Sequence, residues 1–372
     1  MTLHVAVEAT DGAARSGTIT TPRGVIETPC FMPVGTRAAV RLLDSEDLEA
    51  LGASVVLANT YHLMLRPGAD VVRDLGGLHR LMGWDGHVLT DSGGYQVFSL
   101  DPKVDDEGVT FRSTYDGSTH RLSPELAVDI QADLAADIAM VLDVCPPWPA
   151  TDQVLRVAVE RTGQWAARAR SAHMAALASG RAPAGQQQFG IVQGGVDEGL
   201  RAESVARTLE VGFDGYGIGG FSVGEPRDLM VPALAATTAL LPVDQPRYLM
   251  GVGDPVGLVE AIALGVDLFD CVLPTRFGRH GTVLTRGGRY NLKAAAHARD
   301  DRPLDPDCPC PVCERWSRGS LRHLMMVAEP TGARLVTRHN LAWTFALVAS
   351  ARAAIGAGTL DALRSDIRAV WG

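Results

Sequence analysis

The chain has 372 residues, of which 46% are hydrophobic and 21% charged, and its formal net charge is −9. This size and composition predict one large domain over residues 1–372. They argue against a membrane protein, since no apolar run reaches the roughly 20 residues that span a bilayer, and against a protein that coats nucleic acid nonspecifically, since that requires clustered Lys and Arg. The first residues lack a basic and then apolar signal sequence, so we expect a cytoplasmic protein.

Eight short apolar runs end abruptly in polar residues or glycines, which is typical of buried parallel strands that lead into functional loops. In chain order they are residues 31–34, 54–58, 87–90, 138–142, 189–192, 215–218, 247–250 and 266–269. Helix-like segments between them have start signals at Ser45, Ser123, Pro226 and Asp254. The alternation predicts an α/β fold, a (β/α)8 TIM barrel, with an open doubly wound sheet as the alternative.

Three segments fall outside this alternation. Residues 109–122 alternate in polarity around Asp116-Gly117, which predicts an inserted β-hairpin. Residues 16–28 predict a second hairpin that covers the bottom or the side of the barrel. Residues 276–340 follow the eighth strand and are too many for a simple loop, so we expect an inserted subdomain there.

Three aspartates follow predicted strands, namely Asp91, Asp143 and Asp270. Catalytic groups of a barrel lie at the carboxyl ends of its strands, so these side chains are expected to converge on one mouth. Each aspartate can instead cap a following helix, although none of the three precedes a clean helix start. Converging carboxylates beside the amide of Gln193 can hold a purine, and one of them can attack an anomeric carbon. A metal-dependent hydrolase is the alternative chemistry.

A cysteine cluster predicts a metal site. Cys308, Cys310 and Cys313 lie close together in the chain, and His339 follows them. Three thiolates and one imidazole suit a tetrahedral Zn²⁺ site, whereas three buried free cysteines are the alternative. Four protein ligands leave no position for water, so we expect one structural zinc ion per subunit that holds the inserted subdomain.

Basic residues cluster in residues 275–293 of this otherwise acidic protein. A solvated charged face is the ordinary explanation of such a run. The segment begins shortly after Asp270, however, and Arg side chains suit the bases and phosphates of RNA.

Motifs over nearly the whole chain resemble those of the tRNA-guanine transglycosylase family. They are NTYHL (59–63), TDSGGYQVFSL (90–100), FGIVQGG (189–195), GGFSVGE (219–225), YLMGVG (248–253), FDCVLPTR (269–276) and CPCPVC (308–313). The resemblance implies a (β/α)8 barrel with a zinc subdomain. It also implies exchange of guanine at wobble position 34 of tRNAs with GUN anticodons, a step in queuosine biosynthesis.

The resemblance also implies roles for individual residues. Asp270 would attack C1′ of the ribose and form a covalent intermediate, and Asp91 would act as general acid/base. The incoming 7-deazaguanine base would be bound by Ser92, Gly93, Gly94, Tyr95, Asp143, Cys145, Gln193, Gly219, Gly220, Phe221 and Met250. Tyr95 and Met250 would sandwich its faces. The anticodon loop would contact Gly251, Val252, Gly253, Asp254, Thr275, Arg276, Phe277, Gly278 and Arg279.

Family members are typically homodimers, and bacterial members use the base preQ1 where eukaryotic ones use queuine. Val223 and Cys145 match the bacterial pattern, which favours preQ1. The chain departs from that pattern at Val144, Phe221, Ser222, Phe277 and His280. The alternatives are a queuine-using enzyme, a catalytically silent tRNA-binding partner subunit, a DNA-directed enzyme of the same superfamily and a zinc hydrolase.

Overall fold

The computed structural model describes Leu3 and residues 5–372, and strands alternate with helices over most of this length. The strands are β1 (Val5–Asp11), β2 (Ala14–Thr21), β3 (Gly24–Thr28), β4 (Cys30–Pro33), β5 (Val55–Ala58), β6 (His87–Thr90), β7 (Lys103–Asp105), β8 (Gly108–Arg112), β9 (Thr119–Leu122), β10 (Ile138–Met140), β11 (Gln187–Val192), β12 (Gly215–Ile218), β13 (Arg247–Leu249), β14 (Leu268–Cys271), β15 (Thr282–Thr285) and β16 (Gly288–Asn291). The helices are α1 (Ser45–Ala50), α2 (Thr60–Leu65), α3 (Ala69–Asp74), α4 (Gly77–Met82), α5 (Gly94–Phe98), α6 (Pro124–Leu134), α7 (Asp152–Ser179), α8 (Glu198–Val211), α9 (Arg227–Leu240), α10 (Pro255–Ala263), α11 (Leu273–His280), α12 (Pro311–Arg315), α13 (Arg318–Met326), α14 (Pro330–Ala357) and α15 (Leu360–Trp371), with a 3-10 turn at Ala295–His297.

Eight parallel strands form the central sheet, in the order β4, β14, β13, β12, β11, β10, β6 and β5. One parallel bridge between Val34 and Leu57 joins the two outer strands, and the Gly35 N–H donates to the Leu57 carbonyl oxygen at 2.6 Å. The sheet is therefore a barrel closed by this one narrow seam. The predicted TIM-like barrel is confirmed, and the alternative of an open doubly wound sheet is wrong.

The observed bounds of the eight strands differ from the predicted bounds by a few residues at most. The largest shift is in the eighth strand, which we predicted at 266–269 and which the structure places at Leu268–Cys271. Asp270 therefore lies within β14, where it pairs with Met32 of β4, and not after it. Backbone pairing continues past the apolar run because the ladder hydrogen bonds do not depend on the side chain.

Two of the four predicted helix starts carry the expected cap. The side chains of Ser123 and Asp254 accept backbone hydrogen bonds at the starts of α6 and α10. Pro226 precedes α9 without a side-chain bond. The cap at Ser45 was placed one residue too late, because Asp44 accepts the capping hydrogen bond of α1.

A helix does begin in the segment after Asp270 that the sequence made a poor helix start, although Asp270 does not cap it and its first turn has no side-chain cap. Helix α11 begins at Leu273, with Pro274 in its first turn. Proline is tolerated there because the first N–H groups of a helix have no partner within the helix. The strand that holds Asp270 thus leads directly into the helix that carries Arg276 and Arg279.

Two three-stranded antiparallel sheets flank the barrel. The predicted hairpin at 16–28 is β2–β3, to which β1 adds a third strand. Arg15 of this sheet makes two hydrogen bonds to the carboxylate of Asp267, just before β14, so the sheet covers the amino-terminal ends of the strands. The hairpin predicted at 109–122 is β8–β9, and β7 pairs beside it.

The chain after α11 forms a second hydrophobic cluster, separate from the main core. Its buried side chains come from β15, α12, α13, the first half of α14 and the segments between them, and include Val283, Val312, Leu321 and Val336. The boundary that we placed at residue 340 falls inside α14, so this helix belongs to both the cluster and the barrel wall. Within the described residues, none of the helices combines the length and the apolarity that crossing a membrane requires.

Candidate active site and metal site

A cavity of about 370 Å³ opens at the carboxyl ends of the barrel strands. Twelve of the thirteen residues predicted to act in catalysis or base binding line it, namely Asp91, Ser92, Gly94, Tyr95, Asp143, Cys145, Gln193, Gly219, Gly220, Phe221, Met250 and Asp270. Gly93 lies behind the wall, where a Cβ would come within 3.1 Å of the Tyr61 backbone nitrogen. These residues lie on β6, β10, β11, β12, β13 and β14 or in the loops that follow them, and the barrel places them around one opening.

Asp270 has one engaged and one free carboxylate oxygen. The Tyr248 hydroxyl and the Gly251 N–H both donate to Oδ1, at 2.6 and 2.7 Å. Among the described residues, Oδ2 has no hydrogen-bond partner, and the residue lines the cavity. Burial raises the pKa of Asp270, and the two hydrogen bonds oppose this rise. A carboxylate held through one oxygen leaves the other available for reaction with a ligand.

Asp91 is fixed by three donors. The Asn59 and Gln96 side-chain amides donate to Oδ2 at 2.5 and 3.0 Å, and the Thr60 N–H donates to Oδ1 at 2.8 Å. Thr60 begins α2, so the carboxylate does cap a helix, though not the one that follows it in sequence. Burial nevertheless raises the pKa of Asp91 to about 6. A group that titrates there can take up and release a proton near neutral pH.

Asp143 and Gln193 form a buried pair on another side of the cavity. The Gln193 side-chain N–H donates to Asp143 Oδ2 at 2.6 Å, while Gln193 Oε1 is buried and has no partner among the described residues. Burial raises the pKa of Asp143 to about 6, and the hydrogen bond from Gln193 lowers it. One of the two hydrogens on Gln193 Nε2 is engaged by Asp143, which leaves the second to donate to a ligand carbonyl.

The glycine pair after β12 makes room for the Gln193 amide. A Cβ on Gly219 would lie 2.7 Å from Gln193 Nε2, and one on Gly220 would lie 2.5 Å from Oε1. Gly220 also has a positive φ of 72°, which side chains disfavour. The amide and the backbone of this turn therefore share one edge of the cavity at a distance that only glycine permits.

An aromatic ring and a thioether flank the same space. Tyr95, on α5, is 60% exposed, which is unusual for a tyrosine that lines a pocket. Met250 follows β13, is half-buried and also lines the cavity. A flat ligand can stack on an exposed ring of this kind.

Six polar residues that line this cavity were not predicted as site residues, namely Thr36, Asn59, His62, Gln96, Ser222 and Tyr248. Asn59 directly follows β5, just after the apolar run 54–58, and this position at a strand end was the signal that could have identified it. Tyr248 stands inside a predicted strand, where nothing in the pattern tells an inward ring from an outward one. Of the noted departures, Phe221 and Ser222 line the cavity, whereas Val144 is buried beside it and does not.

The residues predicted to contact RNA lie in two segments beside the mouth. Gly251 lines the cavity, while Val252 and Gly253 are buried, and Asp254 caps α10 and pairs with Arg227 at 2.6 Å.

The second segment is α11. Arg276 is exposed without a carboxylate partner in the described chain, and Phe277 and Arg279 are half-buried. Thr275 and Gly278 are buried; Arg279 donates to the Thr275 hydroxyl at 3.2 Å. Direct contact with a ligand is thus open to the two arginines, while the buried residues shape the backbone.

The cysteine cluster and His339 have the geometry of a metal site. The ligand atoms of Cys308, Cys310, Cys313 and His339 all lie within 4.8 Å of one another. The sulfur atoms of Cys310 and Cys313 lie 3.5 and 3.3 Å from His339 Nδ1. A tetrahedral ion with metal–sulfur bonds of about 2.3 Å and metal–nitrogen bonds of about 2.0 Å would set such distances near 3.5 Å.

The orientation of His339 supports this geometry. Its Nε2 lies 2.8 Å from the Leu284 carbonyl oxygen. Because a carbonyl only accepts, Nε2 carries the proton and Nδ1 turns its lone pair to the cysteines, as a metal-ligating histidine requires. The four residues therefore fit a closed metal site.

Fold and cavity define a (β/α)8-barrel enzyme with three carboxylates at its mouth. The sequence model of the family described as Queuine tRNA-ribosyltransferase matches residues 10–372. A curated protein of that description from Herpetosiphon aurantiacus is 51% identical, over 94% of this chain and 88% of its own. One from Symbiobacterium thermophilum is 50% identical over 96% and 88%, and one from Desulforudis audaxviator is 51% identical over 96% and 94%. The chain belongs to the Queuine tRNA-ribosyltransferase family and is a pentosyltransferase.

Proposed function

We propose that this enzyme exchanges guanine at wobble position 34 of tRNAs with GUN anticodons for preQ1, through a covalent bond between Asp270 and the ribose. The observation that carries the proposal is Asp270 itself, a carboxylate with a free Oδ2 at the mouth of the barrel. The names of the relatives support tRNA as the substrate. The two Oδ1 hydrogen bonds fix the direction from which Oδ2 attacks.

The chemistry proceeds in two halves. Asp270 Oδ2 attacks C1′ of the ribose, the bond from C1′ to the base breaks, and guanine departs with the electron pair and takes a proton from Asp91. The incoming base then returns a proton to Asp91 as its nitrogen attacks C1′ and releases Asp270 as a carboxylate. Supporting this role, the pKa of Asp91 is raised to about 6.

Recognition of the base is assigned to the buried edge of the cavity. Asp143 accepts N–H groups of the purine, and the Gly220 N–H and the Gln193 amide face its carbonyl. Tyr95 and Met250 enclose its two faces. We favour preQ1 over queuine because Val223 and Cys145 match the bacterial pattern, and Cys145 lines the cavity.

The RNA around the target nucleotide is assigned to the rim formed by residues 251–254 and α11. Arg276 and Arg279 are its cationic side chains, and Arg279 neighbours Arg41, whose positive charge helps to lower the Arg279 pKa after the larger effect of burial. Unpaired guanidinium groups in an acidic protein are suited to RNA phosphates and base edges.

We assign zinc to the Cys308, Cys310, Cys313 and His339 site, one ion per chain, because three thiolates and an imidazole prefer that metal. When bound, the ion would hold residues 276–340 together as a subdomain and fix α11 and α14 beside the mouth.

We also propose that the enzyme works as a homodimer, which sedimentation of the purified protein tests directly. A monomer at working concentrations would contradict that assignment.

The test of the proposed reaction is the Asp270→Asn variant. Incorporation of labelled guanine into a GUN tRNA should fall by at least about 10³-fold, and denaturing gels should lose the RNA-linked protein band, because an amide is a poor nucleophile. Val243→Ala, an exposed position at the other end of the barrel, serves as control. Base exchange retained by Asp270→Asn would overturn the mechanism, and labelling of duplex DNA alone would overturn the substrate.

A second experiment compares preQ1, queuine and guanine as incoming bases. The favoured assignment requires preQ1 to have the highest kcat/KM. A higher value for queuine would make this a queuine-using enzyme, and the absence of any exchange would make it a silent tRNA-binding subunit.

A further inference from the structure

Arg201 is a fully buried arginine next to the base cavity. It lies on α8, and its side chain reaches the space beneath the ends of β11 and β12 with 0% exposure. No carboxylate of the described residues lies within ion-pair distance of it. Of the other two buried arginines in the described chain, Arg15 pairs with Asp267, whereas Arg247 donates only to backbone carbonyl oxygens. Burying a charge without an ionic partner lowers the stability of the fold, which suggests that Arg201 has a role other than stabilisation.

The guanidinium joins the two turns that carry the base-recognition groups. Its Nε donates to the Gly195 carbonyl oxygen at 2.7 Å, in the turn that follows Gln193. Its Nη2 donates to the Gly219 carbonyl oxygen at 2.9 Å, in the turn that contains Gly220. One rigid planar group therefore fixes the separation between the ends of β11 and β12.

The bond to Gly219 has an electronic consequence. The Gly219 carbonyl and the Gly220 N–H belong to the same peptide unit. A cationic donor on the carbonyl oxygen polarises that unit and makes its N–H a stronger hydrogen-bond donor. The Gly220 N–H is the group assigned above to the purine carbonyl.

The floor of the cavity depends on the same side chain. The guanidinium carbon of Arg201 lies 3.7 Å from the centre of the Phe221 ring, which is a close cation–π contact, and Phe221 lines the cavity. Burial lowers the pKa of Arg201 to about 9, so the group is still positively charged at neutral pH. Its Nη1 is buried and has no acceptor among the described residues.

We propose that Arg201 is a positioning residue for the base. It sets the spacing between Gln193 and Gly220 and strengthens the Gly220 N–H toward the 6-carbonyl of the purine. This inference rests on the proposed function, because it assumes that a purine with that carbonyl occupies the cavity. It adds a residue that never touches the substrate and acts through the Gly219–Gly220 peptide.

The experiment measures equilibrium binding of two free bases by calorimetry, guanine and 2-aminopurine, which lacks the 6-carbonyl. Arg201→Met should weaken guanine binding by about tenfold, the effect of one charge-assisted hydrogen bond, and should weaken 2-aminopurine binding much less. The preference for guanine over 2-aminopurine therefore shrinks in the variant. In exchange assays the KM for guanine rises and the KM for tRNA stays unchanged.

The matched control is Arg247→Met. Arg247 is also buried and also donates to backbone carbonyl oxygens, those of Leu241 and Gly265, but at the start of β13 and away from the cavity. This variant should lose stability without changing the preference between the bases. Should Arg201→Met not fold, Arg201→Lys tests the same point, because an ammonium group cannot bond both carbonyls in the planar geometry.

The outcomes separate the two proposals. If wild-type protein binds no guanine and exchanges none, the proposed function fails. If wild-type protein binds guanine and the Arg201 variants keep the same preference for guanine over 2-aminopurine, the role of Arg201 is overturned while the proposed function stands. If Arg247→Met loses as much of the preference for guanine over 2-aminopurine as Arg201→Met does, general destabilisation explains the effect. That result would also overturn the role of Arg201.

Discussion

At the scale of single residues, the site is built from carboxylates that the fold buries at a cost in stability. Asp143 has a pKa of about 6 in the folded protein against 3.8 ordinarily, with burial as the main cause. The folded state therefore binds the proton more tightly than the unfolded state does. The stability that this proton contributes is fully present below about pH 4 and is lost as the pH rises through about 6.

The first prediction follows from the upward shift of the Asp143 pKa in the folded protein. Asp143→Asn removes the buried charge and keeps an oxygen that accepts from Gln193, so the free energy of unfolding at pH 7.5 should rise by on the order of 1–3 kcal/mol. Urea unfolding at pH 7.5 and pH 5 measures the free energy of unfolding of both proteins. The difference between the variant and wild type should be smaller at pH 5. A variant less stable than wild type at pH 7.5 would contradict it.

The second prediction concerns binding. If Asp143 accepts purine N–H groups as a carboxylate, guanine affinity should fall about tenfold between pH 7.5 and pH 5, because most of the ionised form is lost below a pKa of about 6. Calorimetric titration across this range is the measurement. Asp143→Asn, which has no carboxylate to titrate here, should show a flatter profile, and a flat wild-type profile would remove Asp143 from that role.

At the scale of elements, the position of α11 depends on a single small residue. A Cβ on Gly278 would lie 2.6 Å from the Thr337 Cα of α14. The two helices approach so closely that only hydrogen fits between them. Since α11 carries Arg276 and Arg279, the packing of α14 decides where the proposed RNA-binding arginines lie.

The third prediction tests this contact. Gly278→Ala should lower stability by roughly 1–3 kcal/mol, as overpacked cores do, and should raise the KM for tRNA with little change in guanine affinity. Gly356→Ala is the matched control, because a Cβ there meets no atom within 4 Å, and it should stabilise α14 by up to about 1 kcal/mol. If both substitutions change the stability and the KM for tRNA equally, helix propensity and not the contact between α11 and α14 determines the effect.

At the scale of the whole molecule, two hydrophobic clusters share α14, and the metal site lies in the smaller one. His339 of α14 faces the cysteines around α12, so the site connects the segment after the eighth strand to the helix that packs on the barrel. An ion bound there stabilises the folded state because the unfolded chain does not hold its four ligands together.

The fourth prediction is that removing the metal with a chelator lowers the melting temperature by about 10 °C, and that base exchange declines only as the protein unfolds. Cys310→Ser should contain no metal by elemental analysis, whereas Cys145→Ser should keep one ion per chain. Complete loss of exchange with an unchanged melting temperature would instead indicate a catalytic metal, as in the zinc hydrolase alternative.

The sequence by itself determined the barrel, the metal ligands and most of the cavity lining. Strands that are buried on both faces appear as continuous apolar runs, and a parallel barrel brings their ends together, so Asp91, Asp143 and Gln193 could be placed at one mouth without coordinates. The close spacing of Cys308, Cys310 and Cys313 was sufficient for the metal site.

Only the tertiary structure decided which groups hold these side chains. The donors to Asp91 come partly from α2, and those to Asp270 come from β13 and the residue after Met250, which are remote in sequence. Arg201 looked like any charged residue of an amphipathic helix. Its burial beneath Gly219 depends on how α8 packs against β11 and β12, and a contact between distant segments leaves no periodic signal in either of them.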